Sequence, residues 1–129
     1  MDHQDQDAAD EADQIRLTVP ALAPYSRVAR LAVTALASRN GFTYLEVEDL
    51  RVAIGELFGA LVEPADADGH LVFSCRLRPD ALEVVASREP PLPLAEVTAL
   101  TRMILDAVVD EVEIDRDGGR FRIVKRLED

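Results

Sequence analysis

Apolar and polar positions recur along this chain with two different periods, and the switches between them predict its elements. Ile15, Leu17 and Val19 alternate with Arg16 and Thr18, which reads as a half-buried strand stopped by Pro20. From Ser26 to Arg39 the spacing turns helical, with Val28, Leu31, Ala32, Ala35 and Leu36 as the apolar positions. Asn40-Gly41 closes that helix, since both residues tolerate a left-handed end. Thr43-Tyr-Leu-Glu46 reads as a capping box opening a second helix. Its stripe is Val47, Leu50, Ile54, Leu57 and Leu61; Pro64 ends it, and 65–69 is a polar turn. Runs 70–77 and 81–86 are strand-like and meet at the turn Arg78-Pro79-Asp80. A proline-stiffened connector, 87–93, follows. Leu94, Val97, Thr101, Ile104, Leu105 and Val108 mark a third helix. Strands 111–114 and 120–127 then form a hairpin through Asp117-Gly118-Gly119.

The order is β-α-α-β-β-α-β-β. There is too little chain to cover both faces of a sheet, so we expect an α+β fold: a two-layer α/β sandwich with helices on one face of a mixed sheet. One domain, 15–129, should hold all of it. Residues 1–14 carry six acids (Asp2, Asp5, Asp7, Asp10, Glu11 and Asp13) and no base, and read as a disordered acidic tail.

Composition narrows the function. At 48% hydrophobic and 30% charged, the 129 residues are those of a globular protein. A net charge of −11 argues against direct nucleic-acid binding, which needs clustered Lys and Arg, and suits a basic protein partner. No run approaches the roughly 18 apolar residues of a membrane span, and the acidic N-terminus is no secretory signal. The lone Cys75 permits no internal disulfide and reads as a small buried hydrophobe; with His3 and His70 it makes no metal constellation. A reducing cytoplasm is the expected compartment.

The second helix carries a resemblance. Asp49-Leu-Arg-Val-Ala-Ile-Gly-Glu56-Leu-Phe-Gly-Ala60 is similar to the N-box helix of the GHKL (Bergerat, histidine-kinase-like) ATPases. In particular it resembles the bacterial anti-sigma-factor serine kinases of general stress response and sporulation. The strand at Ile15, the segments Arg30-Leu-Ala-Val and Ala37-Ser-Arg-Asn-Gly41-Phe, and Val108-Val-Asp-Glu-Val-Glu-Ile-Asp-Arg-Asp-Gly-Gly119 follow in the family's order. The resemblance implies a histidine-kinase-like ATPase fold, ATP and magnesium as the intact family's cofactors, and a homodimer.

The family's N-box has a glutamate and, four residues on, an asparagine that offers magnesium an oxygen; four residues apart means one helix face. This chain keeps Glu56, a vestigial catalytic glutamate, but has Ala60 where the asparagine stands. The family's adenine box and phosphate loop are glycine-rich, yet no glycine occurs between Gly69 and Gly118. Ser87-Arg-Glu-Pro-Pro-Leu-Pro93 stands there, and proline has no N–H to give a phosphate. The lid is therefore expected to be deleted, with Leu92 and Leu94 as side chains that could fill the pocket. The threonine usual in the last strand is also missing, with Arg120-Phe-Arg-Ile-Val in its place.

Three functions remain in play. The first is an anti-sigma factor that regulates transcription by sequestering an alternative sigma factor without kinase activity, opposed by an anti-anti-sigma antagonist. Here no cofactor or metal is expected, and the resemblance assigns partner contacts to the first helix at Arg30 and Arg27. The second is an active ATP-dependent serine kinase acting on the anti-anti-sigma protein through Glu56. The third is a non-catalytic dimerisation or scaffold module.

Overall fold

The computed structural model describes residues 14–62, 68–95 and 97–128. The acidic segment ahead of residue 14, and Pro64 with most of the turn after it, lie outside the described residues. The observed order is β1 (Gln14–Pro20), a short 3-10 turn (Ala23–Tyr25), α1 (Ser26–Arg39), α2 (Tyr44–Val62), β2 (His70–Arg78), β3 (Ala81–Glu89), α3 (Ala99–Val108), β4 (Glu111–Asp115) and β5 (Arg120–Arg126). This is the order read from the sequence.

The strands form one sheet in the order β1-β2-β3-β5-β4. Every pairing is antiparallel, so the expected mixed sheet is corrected. The reason lies in the connections. The helices α1 and α2 return the chain beside β1 in the opposite sense, and α3 returns it to a new hairpin rather than to a parallel neighbour. Two further boundaries move. β3 runs on through Ser87, Arg88 and Glu89, because β2 continues beside it as far as the His70–Glu89 pair. The third helix starts at Ala99, after irregular chain at Leu94 and Val97.

Register sorts the sheet into two faces. Leu17, Phe73, Ala86, Phe121 and Ile114 form one cross-strand row, and Ile15, Cys75, Val84, Ile123 and Val112 the next. This face is packed under the helices. Leu50, Ile54, Leu57 and Leu61 of α2 are fully buried on it, each worth about 1.5–3 kcal/mol. Phe58 of α2 stacks on Phe73 of β2, with ring centroids 6.0 Å apart and planes 8° from parallel. Cys75 is buried here, and burial pushes its thiol up to about 12, which keeps it protonated and unreactive.

The start of α2 is fixed by polar contacts. The Thr43 N–H donates to Glu46 Oε1 at 2.7 Å, and the Glu46 N–H donates to Thr43 Oγ1 at 3.2 Å, which is the capping box read from the sequence. The second Glu46 oxygen accepts from the Glu128 N–H at 2.9 Å, tying the C-terminal chain to α2. Lys125, buried between them, reaches Asp49 at 3.0 Å and the Val108 carbonyl at 2.9 Å. At the end of α1, Gly41 takes φ +89°, and Asn40 donates from its side chain to the Arg78 carbonyl.

Burial alone would raise the Glu46 carboxyl. The N–H groups of Thr43 and Glu128, the Thr43 hydroxyl and the Lys125 ammonium outweigh it and hold the group below its ordinary value of 4.5. A carboxyl lowered in the folded state stabilises the fold above its unfolded value and stops doing so as the pH falls through the folded one. Glu46→Gln should therefore lower stability by about 1–2 kcal/mol at pH 7. In urea melts the gap between variant and wild type should close below pH 4.5. A gap that stays constant on acidification would remove the charge from the explanation.

Candidate functional site

Glu56 and Ala60 stand four residues apart on α2, both half-buried, and the fold brings them to the same place. They line an open groove of about 430 Å³. Gly55 and Gly59 continue its floor along the helix, and Ala95, Val97, Thr98 and Thr101 form the opposite wall. The groove exists because α2 presents small residues on this flank. A Cβ at Gly59 would meet nothing within 4 Å, and one at Gly55 only the Arg30 stem at 3.8 Å. Gly55 and Gly59 thus keep the wall low rather than satisfy a packing demand. Their spacing beside Glu56 and Ala60 was a signal in the sequence that went unread. The far wall could not be read, because it comes from another part of the chain.

The donor set around this groove is sparse. Among the described lining residues Glu56 is the one charged side chain, joined by the hydroxyls of Thr98 and Thr101. Ala60 offers no oxygen, so magnesium would find one carboxylate where it prefers several oxygen ligands. The N-terminus of α3 also faces the groove, and a helix N-terminus can hold a phosphate through its free N–H groups. Here Thr98 caps the helix itself: its Oγ1 accepts from the Thr101 N–H at 3.1 Å. The described lining residues alone supply fewer oxygen ligands than a magnesium triphosphate prefers.

The segment that replaces a lid is strapped down. The Leu94 N–H donates to the Arg116 carbonyl at 2.7 Å, and the Leu94 side chain is buried in the core. The Leu92 carbonyl lies against Gly119, where a Cβ would come within 2.2 Å of it. The expectation that Leu92 and Leu94 fill the pocket is not met. Neither lines the groove, because both are held towards the β4–β5 turn, and the space beside Glu56 stays open.

On α1 the expected apolar face is rotated. The buried residues are Ala29, Val33, Thr34 and Ala37, while Val28 and Leu31 are 43% and 55% exposed. Small side chains face α2 because they let the two helices approach closely, and Thr34 satisfies its hydroxyl on the Arg30 carbonyl at 2.7 Å. A stripe drawn through the larger residues therefore lands on the solvent side. Arg27 is exposed beside Val28 and Leu31. Arg30 is half-buried, with its stem over Gly55, so it borders the groove wall as well as α1.

No family model matches the chain. The serine-protein kinase RsbW of Bacillus subtilis is 29% identical over 84% of this chain and 81% of its own length. The RsbW of Halalkalibacterium halodurans is 28% identical over 84% and 80%. That of Listeria innocua is 36% identical, but over 58% of this chain and half of its own length. A solved structure of the RsbU and RsbW domains of Rv1364c from Mycobacterium tuberculosis superposes on 88% of this chain with a TM-score of 0.65 at 16% identity; the chain spans 32% of that longer protein. The α+β sandwich and the N-box-like helix thus go together with a similarity to the RsbW serine-protein kinases that extends over most of the chain.

Proposed function

We propose that this chain is a binding protein of the anti-sigma type, which sequesters a sigma factor by contact and does not phosphorylate the antagonist that releases it. The observation that carries the reading is the contrast between its two faces. The groove that a kinase needs offers Ala60 in place of a metal ligand and a helix end already capped by Thr98. The outer face of α1 exposes Val28 and Leu31 beside Arg27, apolar surface next to an arginine of the kind enriched at protein interfaces. Release then works by mass action, with the antagonist competing for the chain. Arg27 and Arg30 are the charged members of the contact, and Glu56 is vestigial. A cytoplasmic homodimer is part of this reading.

The test is capture of sigma factors by the purified chain, with and without magnesium and ATP. A complex at micromolar concentration that is indifferent to ATP supports the reading. Leu31→Asp should weaken it at least tenfold, since it places a charge in an apolar contact, while leaving the melting temperature within the spread of exposed substitutions. Phosphoserine on the antagonist would favour the kinase reading instead, for which the open groove beside Glu56 leaves room. No complex with any sigma factor would remove both.

A further inference from the structure

The sheet face that carries no helix holds a cluster of cations that the reading above does not use. Register sets Arg16, Ser74, Val85 and Arg122 in one cross-strand row and Gln14, Arg76 and Glu83 in the next. With Arg120 they line an open concavity of about 540 Å³. Arg122 is already engaged, by Glu83 at 2.7 Å, Glu113 at 2.9 Å and Glu111 at 3.4 Å. Among the described residues, the side chains of Arg16, Arg76 and Arg120 have no ion-pair or hydrogen-bond partner. The Nε of Arg76 is enclosed without an acceptor. A buried donor left unpaired is unfavourable, and an anion seated on this face would satisfy it.

The chain itself supplies one. Residues 1–13 hold six carboxylates and no base, and they join the sheet at Gln14, on the rim of this concavity. Removing those six from the net charge of −11 leaves −5 for the remainder, so the acidic segment carries more than half of the chain's net charge and is opposite in sign to the arginine cluster. Thirteen extended residues reach roughly 40 Å. The three strand spacings from β1 to Arg120 on β5 amount to about 14 Å. We propose that the helix-free face is an acidic-peptide site and that residues 1–13 of the same chain occupy it. Tethering raises the segment's effective concentration to about the millimolar range, so a contact of roughly 100 µM in isolation is mostly filled within one molecule. An acidic segment of another protein reaches the face only by displacing it.

A labelled peptide of residues 1–13 tests this against the full-length chain and a full-length variant whose six tail carboxylates are changed to Asn or Gln. At low salt the variant should bind the peptide about tenfold tighter than wild type, because its own segment no longer competes. High salt should abolish the difference. Arg16→Gln with Arg76→Gln in the variant should remove binding. If that pair disturbs folding by circular dichroism, the exposed Arg120→Gln gives the same reading as a several-fold loss. Equal affinity for wild type and variant, no binding to the variant, or binding that survives the arginine substitutions would each overturn the proposal. So would a single-stranded oligonucleotide binding the variant more tightly than the peptide, which would assign the face to nucleic acid.

Discussion

Gly119→Ala should destabilise the protein by about 3 kcal/mol, whereas Gly118→Ala, one residue earlier in the same turn, should cost about 1 kcal/mol or less. Gly119 has φ +65°, and a Cβ there would stand 2.2 Å from the Leu92 carbonyl oxygen. Backbone cannot step aside cheaply, so either β5 or the connector must move. Gly118 has an ordinary φ, and its Cβ would meet the Asp115 carboxylate, the far end of an exposed side chain. Turning that carboxylate away sacrifices one exposed hydrogen bond, from the Gly118 N–H to Asp115 at 3.0 Å. Urea melts of the two variants measure the gap. The larger effect also bears on the groove, because Leu92 and Leu94 carry the connector whose Ala95 and Val97 wall it. If both variants melt alike, the connector is not pinned at Gly119.

A larger loss is expected from Phe73→Ala, about 3–5 kcal/mol for the cavity and the lost transfer term. The parallel stack with Phe58 adds to it, in the range of 0.5–1.5 kcal/mol. For a domain of this size that is a fall in melting temperature of roughly 10–20 °C. Val85→Ala, on the opposite face of the same sheet, should lose less than about 1 kcal/mol, because its side chain is only half-buried outside the main core. Phe73 touches the helix that bears Glu56 and Ala60 just beyond Phe58. Its loss should therefore loosen the groove as well as the core. A melting temperature for Phe73→Ala close to that of Val85→Ala would contradict the assignment of the two faces.

Much of the fold is legible in the sequence. The capping box at Thr43 and Glu46 is a local exchange of two hydrogen bonds, so its sequence signature suffices. The α2 stripe was read correctly because Leu50, Ile54, Leu57 and Leu61 are large, evenly spaced and all face one sheet. The α1 stripe was misread because its partner is another helix, and close helix packing selects Ala29, Val33 and Ala37 over the bulkier Leu31. The end of β3 was misplaced because the prolines after it drew the boundary back, while the ladder to β2 continues to Glu89.

By itself the sequence determined the order of elements, the turn at Gly118-Gly119, the resemblance to the serine-kinase helix and the alanine at position 60. Each of these is a property of residues within a turn or two of one another. The tertiary structure alone decided that the groove beside Glu56 is open, that Thr98 caps the helix facing it, that Leu92 and Leu94 are drawn to the far turn, and that four arginines share the helix-free face. These depend on contacts between residues dozens of positions apart, which sheet register and helix docking fix and which local spacing does not encode.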